Sequence, residues 1–450
     1  MTAKWRSAAV PAMLLLALLL GGSAQAVWGN LLLRLLAIVL LCRALTARPA
    51  ASPPEARPLL LMICAATGLI LLQIVPLPPV VWGQIPGRDF VAHGFTLLGL
   101  APPWQSWSLA PYETISSGLF MLVPIAIVVA MVRGQAFSRP LLVSALLVAA
   151  VAGAGLALLQ VGSGTERWYL YRYSSFGAGP GFFANSNHMA ILLLACVPFI
   201  GALVADRVEQ ARDAKTRNLI IIAGVVGGAM ALMAVGLTGS LAVLLLAGPV
   251  ALMSALIPRW ARFAAVRRWL KPAALVILAA SLLVVAISGD RLSDRNLQSV
   301  STRSTIWSNN ALLLADQGLV GTGGGTFPAI YRKYEAKPVA ERTFVNHAHN
   351  DYLEVAIEFG LPGLILLALF LGWWWRRAAG AWRASEADPY AKAAAVASAA
   401  VLLHSIVDFP LRTAAIAALF AVCLGLLVVK RSRERSSEGD LWPTRHMSLD

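Results

Sequence analysis

The sequence predicts an all-α protein, a polytopic membrane bundle of about twelve transmembrane helices with one large non-cytoplasmic loop. Hydrophobic residues make up 58% of the 450-residue chain and charged residues 13%, and the mean hydropathy is +0.71. This composition lacks the polar surface that a soluble protein of that size needs. The basic residues behind the net charge of +15 lie in short clusters between apolar runs. That placement favours membrane topology over nucleic-acid binding.

Twelve apolar stretches are long enough to cross a bilayer with some tilt. They cover residues 8–26, 27–42, 59–78, 116–132, 140–161, 187–205, 218–237, 240–257, 272–289, 352–374, 391–407 and 413–429. We expect one integral membrane domain over residues 1–450, with residues 290–351 as a periplasmic loop insertion. The four cysteines fall inside apolar stretches without paired spacing, so we expect buried free thiols.

The Lys and Arg residues orient the chain. Of the 37, 25 fall in one set of alternate connecting segments, 11 in the other, and Arg34 lies inside the second span. Cytoplasmic loops are enriched in Lys and Arg. We therefore predict a multi-pass protein of the bacterial inner membrane, with both termini cytoplasmic and the 290–351 loop periplasmic.

The N-terminus has two interpretations. Lys4 and Arg6, an apolar run and Ser-Ala-Gln-Ala at 23–26 fit a cleavable signal peptide. They also fit an uncleaved first helix, which we favour because the second span follows at once. Cleavage would leave eleven spans with the same orientation.

Polar groups on the periplasmic side mark a candidate site, because such groups are costly at membrane depth unless partnered. They fall in four segments: Arg167 and Arg172 with residues 177–188; Thr238 to Ser240; the 290–351 loop; and His404, Asp408 and Arg412. We expect these segments to converge on one cleft.

Several of these groups have ordinary structural interpretations. His188 at a helix start is more often a cap or an interface residue, and His404 and Asp408, one turn apart, favour a helix-end hydrogen bond. Residues 321–326 lack the Lys-Ser/Thr ending of a phosphate-binding loop, so we predict a turn-rich joint. His347 and His349 lack a third ligand cluster, so we predict no metal site and no cofactor.

His349 is the strongest catalytic candidate. It lies where a polar loop meets a membrane span, with Asn346, Asn350 and Asp351 beside it to orient the imidazole. A neutral imidazole there can accept a proton from a sugar hydroxyl. Guanidinium groups on the same side suit a diphosphate, which Arg binds bidentately: Arg172, Arg303, Arg332, Arg342 and Arg412. A base with phosphate-binding cations indicates group transfer from a phosphorylated lipid.

The segment from His349 to Gly363 resembles a family signature. His349-Asn350, nine residues, Gly360, two residues and Gly363 resemble the motif of the O-antigen ligase and O-antigen polymerase superfamily. Two further segments resemble the family's sequence: Arg303-Ser-Thr-Ile-Trp307 followed by residues 318–323, and residues 181–190, which include Asn187. The resemblance covers about residues 160–430.

The resemblance implies a metal-independent, inverting membrane glycosyltransferase of the GT-C kind. Such an enzyme moves a glycan from undecaprenyl pyrophosphate to an acceptor hydroxyl at the periplasmic face. It implies that His349 is the base and that Arg303 binds the donor phosphate. Ligases often carry Ser-Arg-Gly at the start of a mid-chain span, and Leu241 stands where that arginine would be. We therefore predict that Arg172 or Arg412 completes the donor pyrophosphate site. The predicted supporting residues are His347, Asn346, Asn350, Asp351, Asn187, Gly360 and Gly363.

Three functions fit the sequence. A ligase transfers to lipid A core, and we favour ligase-like transfer. A polymerase of O-antigen or exopolysaccharide transfers to another lipid-linked glycan. A transporter of the same glycan, from a different class, would keep charges midspan in pseudo-repeated helices, whereas Arg34 is the clear midspan charge here.

Overall fold

Helices form nearly all of the regular structure in the computed structural model. The structure describes residues 3–47, 52–134, 137–258, 289–317, 319–335, 345–384 and 388–429. Its α-helices are α1 (Ala3–Leu20), α2 (Val27–Thr46), α3 (Arg57–Ile74), α4 (Pro79–Trp82), α5 (Asp89–Leu97), α6 (Pro111–Phe120), α7 (Leu122–Gly134), α8 (Arg139–Ser163), α9 (Ser186–Gln210), α10 (Ala214–Leu237), α11 (Leu241–Ala255), α12 (Gly289–Gln317), α13 (Phe327–Tyr331), α14 (Asp351–Arg383), α15 (Pro389–His404) and α16 (Ala414–Val428).

Short elements connect some of these helices. Strand β1 (Pro76–Leu77) pairs antiparallel with β2 (Gln105–Ser106). Single 3₁₀ turns cover Pro54–Ala56, Glu166–Trp168 and Pro410–Arg412.

Seven helices are long and apolar enough to span a membrane, and three shorter apolar helices accompany them. Five of the seven are the single helices α2, α8, α9, α10 and α14. The other two join neighbouring elements: Pro54–Ile74 is a 3₁₀ turn followed by α3, and Pro111–Gly134 is α6 followed by α7. The all-α class and the multi-pass helical bundle are therefore confirmed, but twelve spans is too high a count for the described residues. The short helix α16 has 15 residues, which gives about 22 Å against a hydrocarbon core of about 30 Å. The predicted span 272–289 lies outside the described residues.

The centre of the bundle is built from small residues. Every residue of α16 is buried, and it packs against α1, α7 and α15. Alanine and glycine allow close helix approach, and a Cβ at Gly425 would lie 2.5 Å from Met131 Sδ. At the periphery, α10 has one buried residue, Val235, and its other residues are exposed or half-buried. Two of the four free cysteines are buried and two, on α2 and α3, are exposed, so the expectation of four buried thiols was wrong for that pair.

The predicted 290–351 loop has its own folded structure. Helices α12 and α13 pack on the start of α14 through a small core that contains Ile306, Leu313, Phe327, Tyr331, Ala348 and Ile357. Arg88 is fully buried and donates to the carbonyl oxygens of Trp107 and Gly321 and to Gln317 Oε1. The segment after β1 is thereby tied to the end of α12, next to the glycine-rich joint.

Candidate functional site

The motif from His349 to Gly363 builds the bent N-terminal part of α14. Asn350 caps the helix, because its Oδ1 accepts hydrogen bonds from the backbone N–H groups of Tyr352 and Leu353, both at 3.0 Å. Gly360 breaks the helix in a left-handed conformation (φ 57°, ψ −148°), and a Cβ there would overlap the carbonyl oxygen of Leu319. Only glycine fits at that position without strain.

His349 itself is held in an unusual backbone conformation. Among the described residues it is the one non-glycine residue with positive φ, 50°. On one side, Ala348 donates its N–H to Glu354 Oε2 at 3.0 Å and its carbonyl accepts from Trp307 Nε1 at 3.2 Å. On the other, the N–H of Asp351 donates to a backbone carbonyl at the end of α15 at 2.9 Å. Left-handed non-glycine residues persist where the surroundings fix them, and they concentrate at functional sites.

Three imidazoles surround one buried carboxylate, that of Asp408, in the turn between α15 and α16. His349 Nδ1 lies 3.6 Å from Asp408 Oδ1, and His188 Nε2 lies 3.9 Å from the same oxygen. His404 Nε2 lies 3.7 Å from Asp408 Oδ2. The side chain of Asp408 is 0% exposed. The predicted pairing of His404 with Asp408 is therefore one part of a larger cluster.

Further donors complete the surroundings of Asp408. Asn187 donates its side-chain N–H to Oδ2, Asn185 donates more weakly at 3.4 Å, and Arg303 Nη2 lies 3.8 Å from Oδ2. Burial alone would raise the pKa of Asp408, but the His349 contact and the neighbouring imidazoles hold that pKa well below its ordinary value. Asp408 is therefore a carboxylate at neutral pH, and it presents a fixed acceptor to His349 Nδ1.

Arg412 lies in a second cluster, surrounded by three carboxylates. Its Nη1 lies 2.9 Å from Glu358 Oε2 and 3.5 Å from Glu354 Oε1, and its Nε lies 3.6 Å from Asp351 Oδ1. Burial would lower the pKa of Arg412, but the three carboxylates raise it. His347 joins this cluster, with Nδ1 2.9 Å from Glu354 Oε1. The guanidinium of Arg412 is thus directed at the protein's own acids.

The ring of Phe409 lies between the two clusters. Its centroid is 4.3 Å from that of His347, 4.9 Å from that of His349 and 5.1 Å from that of His188. The N–H of Phe409 donates to Asp408 Oδ1 at 2.9 Å. This ring therefore fixes the positions of three imidazoles relative to each other.

A cavity of about 1060 Å³ opens beside both clusters. Its polar end is lined by residues that include Asn185, His188, His347, His349 and Arg412. Its wall is apolar and comes from α3, α7, α14 and α16, with residues such as Leu59, Met62, Ile63, Val128, Leu367 and Leu424. Such a cavity suits an amphipathic ligand that has a polar head and a long apolar chain.

The remaining predicted residues lie at varying distances from this cavity. Asn346 is exposed and lines it. Arg303 contacts Asp408 but is absent from the described cavity lining. Arg172 is exposed, with its guanidinium carbon 5.6 Å from the ring centre of the cavity-lining Tyr173.

Other predicted groups are not brought to the cavity. Arg332 is exposed in the turn after α13. Thr238 and Ser240 are buried at the turn between α10 and α11 and are absent from the lining within the described ranges. Arg342 lies outside the described residues.

Two acidic residues of α14, Glu354 and Glu358, were not among the predicted site residues. Glu354 and Glu358 lie three and seven residues after Asp351, a spacing that places all three on one helix face. Buried acids inside an apolar span are a readable signal of a polar site. Phe409 carries no such signal, because one aromatic residue in an apolar region has no distinguishing pattern.

A comparison with known protein families matches one segment of the chain. Residues 223–368 match the family described as O-Antigen ligase. This confirms the family resemblance that the His349 motif predicts. The matched segment contains Arg303, His349 and the acidic face of α14, and it ends before Asp408 and Arg412. No curated protein matches the chain.

Proposed function

We propose that this chain, which matches the O-Antigen ligase family over residues 223–368, is an inverting glycosyltransferase of the inner membrane. It transfers a glycan from undecaprenyl pyrophosphate to an acceptor hydroxyl at the periplasmic face. The observation that carries this proposal is His349: a residue in a left-handed conformation, facing a buried carboxylate, at the polar end of a largely apolar cavity.

His349 is proposed as the general base. A carboxylate that faces Nδ1 favours the tautomer with a proton on Nδ1, which leaves the Nε2 lone pair free to accept a proton. Nδ1 of His349 lies 3.6 Å from Asp408 Oδ1, and catalytic hydrogen bonds of this kind shorten when substrate binds. Asp408 acts through His349 and is a positioning residue.

The reaction is a single displacement. Nε2 of His349 takes the proton of the acceptor hydroxyl as its oxygen attacks the anomeric carbon of the donor sugar. The bond from that carbon to the diphosphate oxygen breaks, and its electron pair leaves with the lipid diphosphate. The proton passes from His349 to the departing phosphate or to solvent. Attack opposite the leaving group inverts the anomeric centre.

Arg303 is proposed to bind the leaving diphosphate. Within the described residues its one close contact is with Asp408 at 3.8 Å, and its Nε is buried without a hydrogen-bond partner. Most of its five donors are therefore available for phosphate oxygens, where a guanidinium stabilises developing charge. Arg412 is proposed as a positioning residue, because Glu354, Glu358 and Asp351 already surround it. Arg172 remains a candidate at the rim.

The decisive assay supplies purified protein in nanodiscs with a glycan on undecaprenyl pyrophosphate and measures release of the lipid pyrophosphate. Release that depends on lipid A core supports a ligase. Growth of the glycan without core indicates a polymerase. No release under either condition would contradict glycan transfer and favour a transporter.

A variant pair tests the base. His349→Ala is expected to abolish release, because the acceptor hydroxyl then has no base. His93→Ala is the matched control, since His93 is exposed on α5. Full release by the His349 variant at normal expression would refute the proposed role.

A further inference from the structure

We infer that Arg34, in the apolar helix α2, binds the phosphates of the lipid donor inside the cavity. The inference rests on the proposed function and adds a residue from outside the matched family segment. The predicted donor site placed its cations on the periplasmic segments alone.

Arg34 lines the same cavity as His349. Within the described part of the chain, Arg34 and Arg412 are the two arginines of that lining. Arg412 is surrounded by three carboxylates within 3.6 Å. No carboxylate of the described residues lies within 4.0 Å of Arg34, and no described group hydrogen-bonds to it. Of the two arginines in the described lining, Arg34 is therefore the one whose guanidinium group is available to a ligand.

The position of Arg34 suits the head of a lipid more than its chain. Arg34 comes seven residues after Val27, the first residue of α2, which places it about 10 Å along the helix. Helical side chains lean toward the N-terminus of their helix. The N-terminus of α2 is the polar end of the cavity, where Ser23, Gln25 and Asn30 line it. The guanidinium can therefore reach toward that end.

The loop before α2 is fixed to the rest of the site. Gln25 Nε2 donates to the carbonyl oxygen of Tyr173 at 2.8 Å, and the N–H of Tyr173 donates to Gln25 Oε1 at 3.1 Å. Asn30 Nδ2 donates to the carbonyl oxygen of Ser23 at 2.9 Å. The start of α2 is thus held against the segment that leads to His188.

The charge balance points the same way. The two clusters hold four carboxylates, Asp351, Glu354, Glu358 and Asp408, against two guanidinium groups. A diphosphate brings further negative charge into this largely apolar cavity. A third cation that has no carboxylate of its own supplies the missing attraction.

A rival partner for Arg34 is Glu113, at the start of α6, which lines the same cavity. If the cavity narrows, the two side chains would form an ion pair that is purely structural. Arg34→Ala and Glu113→Gln would then have the same effect on melting temperature and on ligand binding.

The test uses the full chain in nanodiscs and undecaprenyl pyrophosphate without a glycan as the probe. We expect Arg34→Ala to weaken binding about tenfold to a hundredfold, the effect typical of a charge-assisted hydrogen-bond pair. Arg34→Lys should restore part of it. Arg43→Ala is the matched control, because Arg43 is exposed near the other end of α2, and it should bind as the wild type does.

Each contrary outcome has its own meaning. Wild-type binding by Arg34→Ala would overturn this inference and leave the proposed function standing. Absence of binding by the wild type would overturn the proposed function. An equal loss of affinity for phosphatidylglycerol would make Arg34 a general lipid headgroup site, and matching effects of Arg34→Ala and Glu113→Gln would make it half of an ion pair. Either result would overturn the donor assignment.

Discussion

Replacing Asp408 with asparagine is the sharpest test of the proposal that this carboxylate orients His349 as the base. The change removes one charge and preserves the size of the side chain. The carboxylate now accepts from Asn187 and faces His349 Nδ1 at 3.6 Å and Arg303 Nη2 at 3.8 Å. An amide offers one acceptor oxygen, so its NH₂ group must face either the imidazole N–H or another donor.

The expected loss of turnover follows from those contacts. One hydrogen bond to a charged group contributes about 1.5 to 3 kcal/mol, a factor of roughly 10 to 150 in rate if it acts only in the transition state. Loss of the required imidazole tautomer adds to this, and in the serine-protease triad the corresponding change lowers kcat by about 10⁴. We therefore expect kcat of Asp408→Asn to fall by about 10² to 10⁴.

The assay separates orientation from folding. Donor binding should persist or tighten, because Arg303 loses its one close carboxylate contact in the described residues. A fall in kcat in a variant that stays folded at the assay temperature and keeps or gains donor affinity identifies a positioning role. Asp316→Asn is the matched control, since Asp316 is an exposed acid whose carboxylate lies 3.7 Å from Lys333 Nζ. Turnover within about threefold of wild type would refute the reasoning, since it is below even the smallest expected effect.

Three further outcomes follow from the local geometry. Gly360→Ala should lower the melting temperature, because strain at a left-handed position costs about 1 to 3 kcal/mol and the new Cβ overlaps a carbonyl oxygen. The control Gly372→Ala should leave the melting temperature unchanged, because a Cβ there meets no atom within 4 Å. Asn350→Ala should cost about 1 kcal/mol in chemical denaturation through the lost cap, and Asn350→Ser should recover most of it. Because the pKa of Asp408 is lowered in the folded protein, its carboxylate contributes fully to the free energy of unfolding above about pH 4. That contribution is lost as the pH falls through the pKa of Asp408 in the folded state. As the pH is lowered below 4, the melting temperature of Asp408→Asn should therefore fall less than that of the wild type. An equal fall in both proteins would contradict the lowered pKa of Asp408.

The sequence was enough to predict that three separate segments come together at the site. Residues 177–188, 290–351 and the stretch around Asp408 were predicted to meet, and the structure brings His188, Arg303 and His349 to that carboxylate. The physical basis is simple, because polar groups at membrane depth need partners and one external face is where such partners can meet. Thr238 and Ser240 met the same criterion but are buried elsewhere, since short hydroxyl side chains can bond to their own helix.

The carboxylate partners of Arg412 and the number of spans could not be predicted in that way. A basic residue on the right face looks like a phosphate ligand until helix packing places Glu354 and Glu358 beside it. Hydropathy likewise does not distinguish a helix that faces lipid from one enclosed by other helices, because both are apolar all round. The short helix α16 is enclosed in this sense, with every residue buried.

The two clusters differ in how many of their buried polar atoms have a hydrogen-bond partner in the described residues. Around Arg412 the shortest contacts, to Glu358 and from His347 to Glu354, are 2.9 Å. Around Asp408, by contrast, His349 Nδ1 and Arg303 Nε are buried without a hydrogen-bond partner in the described residues, as are both ring nitrogens of His188. Buried donors left unpaired are costly unless water or a ligand completes them. The Arg412 cluster, in which Asp351 Oδ1 is the one buried polar atom of the described residues without a hydrogen-bond partner, thus holds the backbone around His349, while in the Asp408 cluster His349 Nδ1 and Arg303 Nη2 lie within 4 Å of the carboxylate that positions them.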